Sequence, residues 1–222
     1  MTPSRTSSPP TTPSPPRTRV LAVAITGGIG AGKTTALESF RRHGAATVSS
    51  DEIVHHLLAT DPDVKVALVE RFGEDVLGAD DTPDRERIAL RVFKDRDALD
   101  FLEKLLHPLV SREYLAWREQ LAALPSPPRV CVTEVPLLYE VGGEARFDKV
   151  VVITAPSKLR EARRGGRKDD RESRLLPDRD KVKRADFAYV NTGSPDELDA
   201  WVAGVMATLT AAETSRDSVE ES

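Results

Sequence analysis

The sequence is poor in cysteine, asparagine and glutamine, and it lacks long apolar runs. Its one cysteine, Cys131, excludes an intrachain disulfide framework and favours a reducing, cytoplasmic location. Cys131 lies in the apolar stretch VCV, which is typical of a small buried core residue. Runs of about 18 apolar residues are absent, so the sequence predicts no transmembrane helix. The N-terminus carries arginines without an apolar core, and we therefore expect no secretory signal there.

The charges are nearly balanced, with 36 acidic and 32 basic side chains and a formal net charge of −4 at pH 7. Because no global basic footprint exists, we expect neither nucleic acid nor a membrane as a partner. The four histidines have no cysteine or HExxH context, so a structural metal site is not expected. The 222 residues, of which 39% are hydrophobic, are enough for one full domain with a sizeable core.

Polar ends flank an alternation of short apolar runs and amphipathic segments. Residues 1–19 are rich in proline, serine and threonine and predict a disordered tail, and residues 212–222 predict a second one. Apolar runs between them predict buried strands at 20–26, 45–50, 129–135 and 148–154, with a short strand near 188–190. Helical patterns separate most of these runs. The folded part, 20–211, is therefore expected to be an α/β domain with a parallel sheet covered on both faces.

Two segments interrupt this alternation. Residues 62–124 show helical patterns throughout, and their length favours an inserted subdomain that binds the acceptor or acts as a lid. Residues 160–181 are charged and contain a run of arginines: Arg160, Arg163, Arg164, Arg167, Arg171 and Arg174. Gly165-Gly166 resembles a hinge, which favours a short lid whose cations close over a phosphoryl group. The alternative is a solvated pair of charged helices.

The stretch AITGGIGAGKTT follows the first apolar run and opens a helix, as a P-loop does. Glycines allow successive backbone N–H groups to point inward at phosphate oxygens, and the helix N-terminus adds its positive dipole end. Lys33 can reach the β- and γ-phosphates, and the Thr34 hydroxyl can ligate Mg²⁺. The predicted ATP-binding residues are Gly28, Ile29, Gly30, Ala31, Gly32, Lys33, Thr34 and Thr35.

The sequence favours a kinase over a regulatory GTPase. Asn191 is followed by Thr-Gly, so the Asn-Lys-x-Asp motif that specifies guanine is absent, and Gln120 lies in a helical segment far from any strand end. A kinase needs a group that orients the acceptor hydroxyl and accepts its proton. Asp51 ends the second strand and starts a helix, which places it at the ligand-facing edge of the sheet. Asp51 could equally be a plain N-cap.

Five stretches together resemble the dephospho-coenzyme A kinase family: TGGIGAGKT, SSDEI, LLHPLV, EVPLLYE and RADFAYVNTGSPDEL. They span residues 24–202. The resemblance implies a three-layer P-loop kinase fold of the nucleoside-monophosphate-kinase type. It also implies transfer of the ATP γ-phosphoryl group to the ribose 3′-hydroxyl of dephospho-CoA, the last step of coenzyme A biosynthesis. The implied cofactors are ATP and Mg²⁺.

The resemblance also assigns roles to individual residues. Asp51 matches the second aspartate of the family's Asp-x-Asp stretch, read as the catalytic base, whereas Ser49 replaces the first aspartate. The implied contacts with the acceptor come from Asp51 and from His107, Pro108, Pro136, Leu137, Leu138 and Glu140. Asn191 and Gly193 match a loop near the adenine, and Glu134, a strand-end acid, could contact the Mg²⁺ shell through water.

The lid departs from the family pattern, because its insert is several residues shorter. Alignment back from Ala185-Asp186 places Arg171 on a phosphate-contacting arginine and Leu175 where the family has glutamine. The other lid arginine could be Arg163, Arg164 or Arg167. Two alternatives remain open: another small-molecule P-loop kinase, and a nucleotide-binding regulatory protein with a degenerate site. We expect a monomer or a small homo-oligomer.

Overall fold

The computed structural model describes residues 19–93, 95–165 and 175–220, with side chains described to residue 211. Five parallel strands form one sheet in the order β2-β3-β1-β4-β5. The strands are β1 (Leu21–Gly27), β2 (Ala46–Ser49), β3 (Val130–Glu134), β4 (Lys149–Thr154) and β5 (Phe187–Val190). The helices are α1 (Lys33–Arg42), α2 (Ser50–Thr60), α3 (Pro62–Phe72), α4 (Arg85–Val92), α5 (Arg96–Ala122), α6 (Ser157–Arg163), α7 (Asp178–Arg184) and α8 (Pro195–Glu220).

Strand β1 lies at the centre of the sheet, and every residue of it is buried. Its sequence LAVAITG is apolar without alternation, as expected for a strand that is covered on both faces. Its pairing with β3 places Ile25 opposite Glu134, so the loops that follow β1 and β3 leave the sheet at the same edge. The α/β prediction with a parallel sheet is confirmed.

Helices cover both faces of this sheet. On one face, α1 and α8 pack against β1 through Leu37, Phe40, Leu198 and Val202. On the other face, Trp117 and Leu121 of α5 pack against Ala22 and Cys131. Cys131 is free and buried, and burial raises the pKa of its thiol to about 11. The thiol is therefore a protonated core group, as the sequence predicts.

The helices between β2 and β3 have an apolar cluster of their own. Its buried members are Leu58, Val64, Leu68, Val76, Ile88 and Leu106. Aspartates begin three of these helices: Asp61, Asp84 and Asp95 accept hydrogen bonds from backbone N–H groups in the first turns of α3, α4 and α5. The helical character predicted for 62–124 is confirmed, apart from a short loop with one antiparallel bridge between Leu77 and Pro83.

The N-cap of α2 and the end of α8 differ from the sequence interpretation. Ser49, not Asp51, is the N-cap of α2, and it forms a capping box with Glu52: each side chain bonds the other's backbone N–H. Asp51 is the second helical residue, so its carboxylate is not used as a cap. The Ser194 hydroxyl accepts a hydrogen bond from the Glu197 N–H at the start of α8, which continues to Glu220, beyond residue 211, where a disordered tail is predicted. Among the described residues, no helix is long and apolar enough to cross a membrane.

Candidate active site

The loop between β1 and α1 forms a phosphate cradle, defined here as residues 28–33. Gly32 has a φ of 99° and directly precedes α1. A Cβ at Gly32 would clash with the amide nitrogen of Asn191, so both the backbone conformation and the space require glycine there. The predicted strand, loop and helix are all present in the order that a P-loop needs.

Lys33 lies in this cradle with only 9% of its surface exposed. Its ammonium donates a hydrogen bond to the Gly28 carbonyl at 3.2 Å and lies 3.9 Å from the Glu134 carboxylate. Burial lowers the pKa of Lys33, and the charge of Glu134 opposes that shift. Burial likewise raises the pKa of Glu134, against the effect of Lys33. The two groups therefore stabilise each other's charged forms at the end of β3.

Asp51 stands at the same edge of the sheet. Strand β2 pairs with β3 so that Ser49 lies opposite Glu134, and the Ser50 hydroxyl donates to the Glu134 carbonyl at 2.8 Å. The Asp51 side chain is exposed, and its charge raises the pKa of both Lys33 and Glu134. The predicted base directly follows Ser50, which contacts Glu134, and Glu134 contacts the predicted phosphate-binding lysine, so both stand at the same edge of the sheet.

Thr34 and Thr35 occupy the first turn of α1, and both are exposed. Their hydroxyls are therefore available to groups bound in the cradle. Among the described residues, no cluster of three or more histidine, cysteine, aspartate or glutamate side chains could hold a metal ion. A magnesium ion here would need ligands from Thr34, water and phosphate oxygens, a donor set that suits this hard cation.

Asn191 supports the cradle from the end of β5. Its side-chain amide donates to the Ala31 carbonyl at 2.8 Å, and its backbone N–H donates to Thr154 at 2.7 Å. The side chain is buried. Gly193 follows in the loop before α8, beside the Glu197 carboxylate. The predicted contact of this loop with adenine stays a prediction, whereas the hydrogen bond to Ala31 was not anticipated from the sequence.

Two arginines of α6 reach the cradle. Arg163 donates to the carbonyls of Gly30 and Ala31, each at 3.3 Å, so it fixes the backbone of the loop. Arg160 lies over Gly28, where a Cβ would clash with its guanidinium, and pairs with Asp178 at 3.5 Å. Arg164 is the C-cap residue of α6, whereas Arg167, Arg171 and Arg174 lie outside the described residues.

The segment after β3 has a different arrangement from the one that the sequence suggests. Pro136 and Leu137 are half-buried, and the Pro136 carbonyl accepts a hydrogen bond from Thr26. Leu138 is fully buried and belongs to the core, so in this structure it has no surface to offer an acceptor. Its predicted contact with the acceptor does not fit this burial.

Glu140 is held by an ion pair that the sequence reasoning missed. Its Oε1 lies 2.8 Å from the Lys181 ammonium and accepts a hydrogen bond from the Leu176 N–H at 2.9 Å. Lys181 is fully buried. No spacing rule links the two residues, because they belong to different elements and meet only through the packing of α7 against the sheet. The contact between Lys181 and Glu140 is therefore evident from the structure and not from the sequence.

His107 and Pro108 lie within α5, where His107 is half-buried and Pro108 exposed. The next residues of α5, Leu109 and Val110, pack against α2. Since α2 begins beside the cradle, α5 is connected with the site through α2. The predicted contacts of His107 and Pro108 with an acceptor stay predictions.

Comparisons with known proteins identify the family of the chain. The family model for dephospho-CoA kinase matches residues 21–197. A dephospho-CoA kinase of Methylococcus capsulatus is 35% identical over 190 residues, which is 82% of this chain and 93% of the relative. The enzyme of that name from Aquifex aeolicus is 32% identical, over 85% of this chain and 97% of the relative.

Solved structures show the same fold. A crystal structure of a Thermus thermophilus protein superimposes with a TM-score of 0.66 at 30% identity, covering 86% of this chain and 98% of that one. The dephospho-CoA kinase of Campylobacter jejuni superimposes with a TM-score of 0.60 at 24% identity, over 85% of this chain and 96% of that one.

Proposed function

The chain belongs to the dephospho-CoA kinase family, and we propose that its site transfers the γ-phosphoryl group of ATP to the ribose 3′-hydroxyl of dephospho-CoA. In this reaction the bond from the γ-phosphorus to the β,γ-bridging oxygen breaks, and a bond to the 3′-oxygen forms. The products are ADP and coenzyme A. The observation that carries the proposal is the juxtaposition of buried Lys33 and exposed Asp51 at one edge of the sheet.

The cradle accounts for ATP binding. Backbone N–H groups of residues 28–33 and the N-terminus of α1 supply positive partial charge for the phosphates. The Lys33 ammonium is held by the Gly28 carbonyl and Glu134, so it needs little reorganisation to meet the β- and γ-oxygens. Its burial strengthens that attraction, because water screens it less.

Mg²⁺ would be held by the Thr34 hydroxyl together with phosphate oxygens and water, with Glu134 reaching it only through water. When bound, the ion would neutralise charge that accumulates on the phosphates. Thr34 suits this role because its side chain is exposed in the first turn of α1.

Two carboxylates compete for the role of base, and their surroundings distinguish them. Glu134 is buried and engaged with Lys33, which limits its contact with an acceptor hydroxyl. Asp51 is exposed and is not used as a helix cap. We therefore assign Asp51 to orient the 3′-hydroxyl and to accept its proton during transfer.

The acceptor would lie between the sheet edge and the helices of 62–124. Pro136 and Leu137 are half-buried at that edge, and α2 connects it with α5, which carries His107 and Pro108. Several points remain predictions from the sequence. They are these contacts, the contribution of Arg171, the domain limits, a cytoplasmic location and a monomeric or small homo-oligomeric state.

The test is acceptor-dependent release of ADP, measured with dephospho-CoA, AMP, UMP, adenosine and no acceptor. We expect turnover with dephospho-CoA and a product that is heavier by one phosphoryl group in mass spectrometry. Turnover only with a different acceptor would support kinase chemistry but contradict dephospho-CoA as the acceptor. Tight ATP binding without turnover on any acceptor would support a regulatory protein instead.

A further inference from the structure

The chain segment 175–181, called here the anchored arm, is fixed to the body of the domain by Glu140. One oxygen of Glu140 accepts the Leu176 N–H at 2.9 Å and lies 2.8 Å from the Lys181 ammonium. The same carboxylate therefore holds the arm at its beginning and at its end. The arm includes the first turn of α7.

The burial of this ion pair is unusual for a purely stabilising contact. The Lys181 side chain is fully buried, and that of Glu140 is 13% exposed. Removing two charges from water is costly and their attraction only partly offsets that cost, so the burial of this pair is weak evidence for a stabilising role. The pair does define one geometry of the arm, because Glu140 contacts both Leu176 and Lys181. A defined geometry matters here because the arm carries Asp178, which contacts Arg160.

Asp178, in the middle of the arm, stands beside the cradle. Its carboxylate lies 3.5 Å from the Arg160 guanidinium, and a Cβ at Gly28 would clash with that guanidinium and lie 3.3 Å from the Asp178 carboxylate. The charges of Asp178 and Lys181 both reach Lys33, the former raising and the latter lowering its pKa. The arm thus contacts Arg160 through Asp178, and its charges act on the phosphate-binding lysine.

We propose that the Glu140–Lys181 pair is a positioning device for phosphoryl transfer: it fixes the anchored arm so that Asp178 holds the Arg160 guanidinium over Gly28, where Arg160 contacts the phosphates. The inference rests on the proposed function. Arg160 is the residue that touches the substrate, and Lys181, Glu140 and Asp178 act through it. A guanidinium held in place before binding stabilises phosphate charge without reorganisation in the transition state.

The test compares Lys181→Met, Glu140→Gln and Arg160→Met in full-length protein, using steady-state kinetics with ATP and dephospho-CoA. Each change should lower kcat about tenfold or more, because Arg160 contacts the phosphates of bound ATP and stabilises them more strongly as their charge changes in the transition state. The double variant Lys181→Met/Arg160→Met should lose no more than the worse single variant, since both changes remove one function. Glu140→Gln keeps an acceptor for the Leu176 N–H and isolates the effect of charge.

Arg184→Met is the matched control. Arg184 lies one turn beyond Lys181 on α7, pairs with Glu144 and stacks on the Tyr139 ring at 4.2 Å. The variant Arg184→Met should have a lower melting temperature than the wild type and an unchanged kcat. Wild-type kcat in Lys181→Met and Glu140→Gln, or multiplicative losses in the double variant, would overturn the inference.

Two further measurements keep the test decisive. If Lys181→Met does not fold, Lys181→Arg and Glu140→Gln carry the comparison. Failure of the wild type to phosphorylate dephospho-CoA would contradict the proposed function but not the positioning. In that case ATP affinity is measured by calorimetry for Lys181→Met, Arg160→Met and the double variant. Each single variant should bind ATP more weakly, and the double variant should lose no more affinity than the worse single variant. Unchanged affinities would overturn the inference.

Discussion

The ammonium of Lys33 lies 3.9 Å from the carboxylate of Glu134, although the two residues come from different elements of the sheet edge. Lys33 begins α1, and Glu134 ends β3. Burial lowers the pKa of Lys33 and raises that of Glu134, and the charge of each partner opposes the shift in the other. The cradle therefore contains a cation whose position and charge both depend on a neighbouring strand.

Lys33→Met should reduce kcat/KM by about 100-fold or more and weaken ATP binding, because it removes a preorganised charge from the phosphates. It should also lower stability, since Glu134 loses its buried partner. The double variant Lys33→Met/Glu134→Gln should regain stability without regaining activity. Calorimetry with ATP, steady-state kinetics and thermal denaturation measure the three effects.

Lys149→Met is the control for that comparison. Lys149 pairs with Asp186 at 2.7 Å and is 41% exposed, so its loss should change neither ATP affinity nor turnover. Retained ATP binding and turnover in Lys33→Met would contradict the cradle assignment.

Asp51→Asn should lower kcat by about 10²–10⁴-fold, because the amide cannot accept the proton of the acceptor hydroxyl. ATP affinity should stay within about twofold, since Asp51 is assigned to the acceptor and not to the nucleotide. Glu52→Gln is the neighbouring control, because glutamine can retain the capping box with Ser49. Near-normal turnover in Asp51→Asn would remove Asp51 as the base.

The cradle was predictable because its information is local. A buried strand, closely spaced glycines and Lys33-Thr34 at a helix start are contiguous in the sequence, and the backbone rules that join them need no tertiary contact. The true cap of α2 was also readable, since Ser49 and Glu52 have the spacing of a capping box. This spacing favours Ser49 over Asp51 as the cap.

The residues around the cradle were less predictable because they depend on how distant elements pack. The family resemblance places Asn191 near the adenine, and the structure adds a hydrogen bond from its amide to the Ala31 carbonyl. Leu138 stands in a motif associated with the acceptor, but its apolar side chain is buried in the core. Lys181 stands in a highly charged stretch, where composition favours an exposed side chain, and only Glu140 explains its burial.

Gly32→Ala should abolish tight ATP binding. The added Cβ would meet the Asn191 amide, and alanine is strained at a φ of 99°. Gly44→Ala is a control for strain alone: its φ is 92°, and nothing lies within 4 Å of the added Cβ. Both variants should lose about 1–2 kcal/mol of stability from backbone strain, whereas only Gly32→Ala should lose ATP affinity in calorimetry. Equal ATP affinities of Gly32→Ala and Gly44→Ala would show that the Asn191 side chain moves to make room for the added Cβ without affecting the site.

Asp199 should make stability depend on pH in the acid range. Hydrogen bonds from Ser39 at 2.5 Å and Arg42 at 2.6 Å lower the pKa of Asp199 to about 2 in the folded protein. Because the unfolded value is about 3.9, its contribution is present above pH 4 and is lost as the pH falls towards 2. Urea midpoints at pH 7, 4 and 3 should therefore fall less in Asp199→Asn than in the wild type. Parallel slopes for Asp199→Asn and the wild type would contradict a stabilising role for the ionised carboxylate.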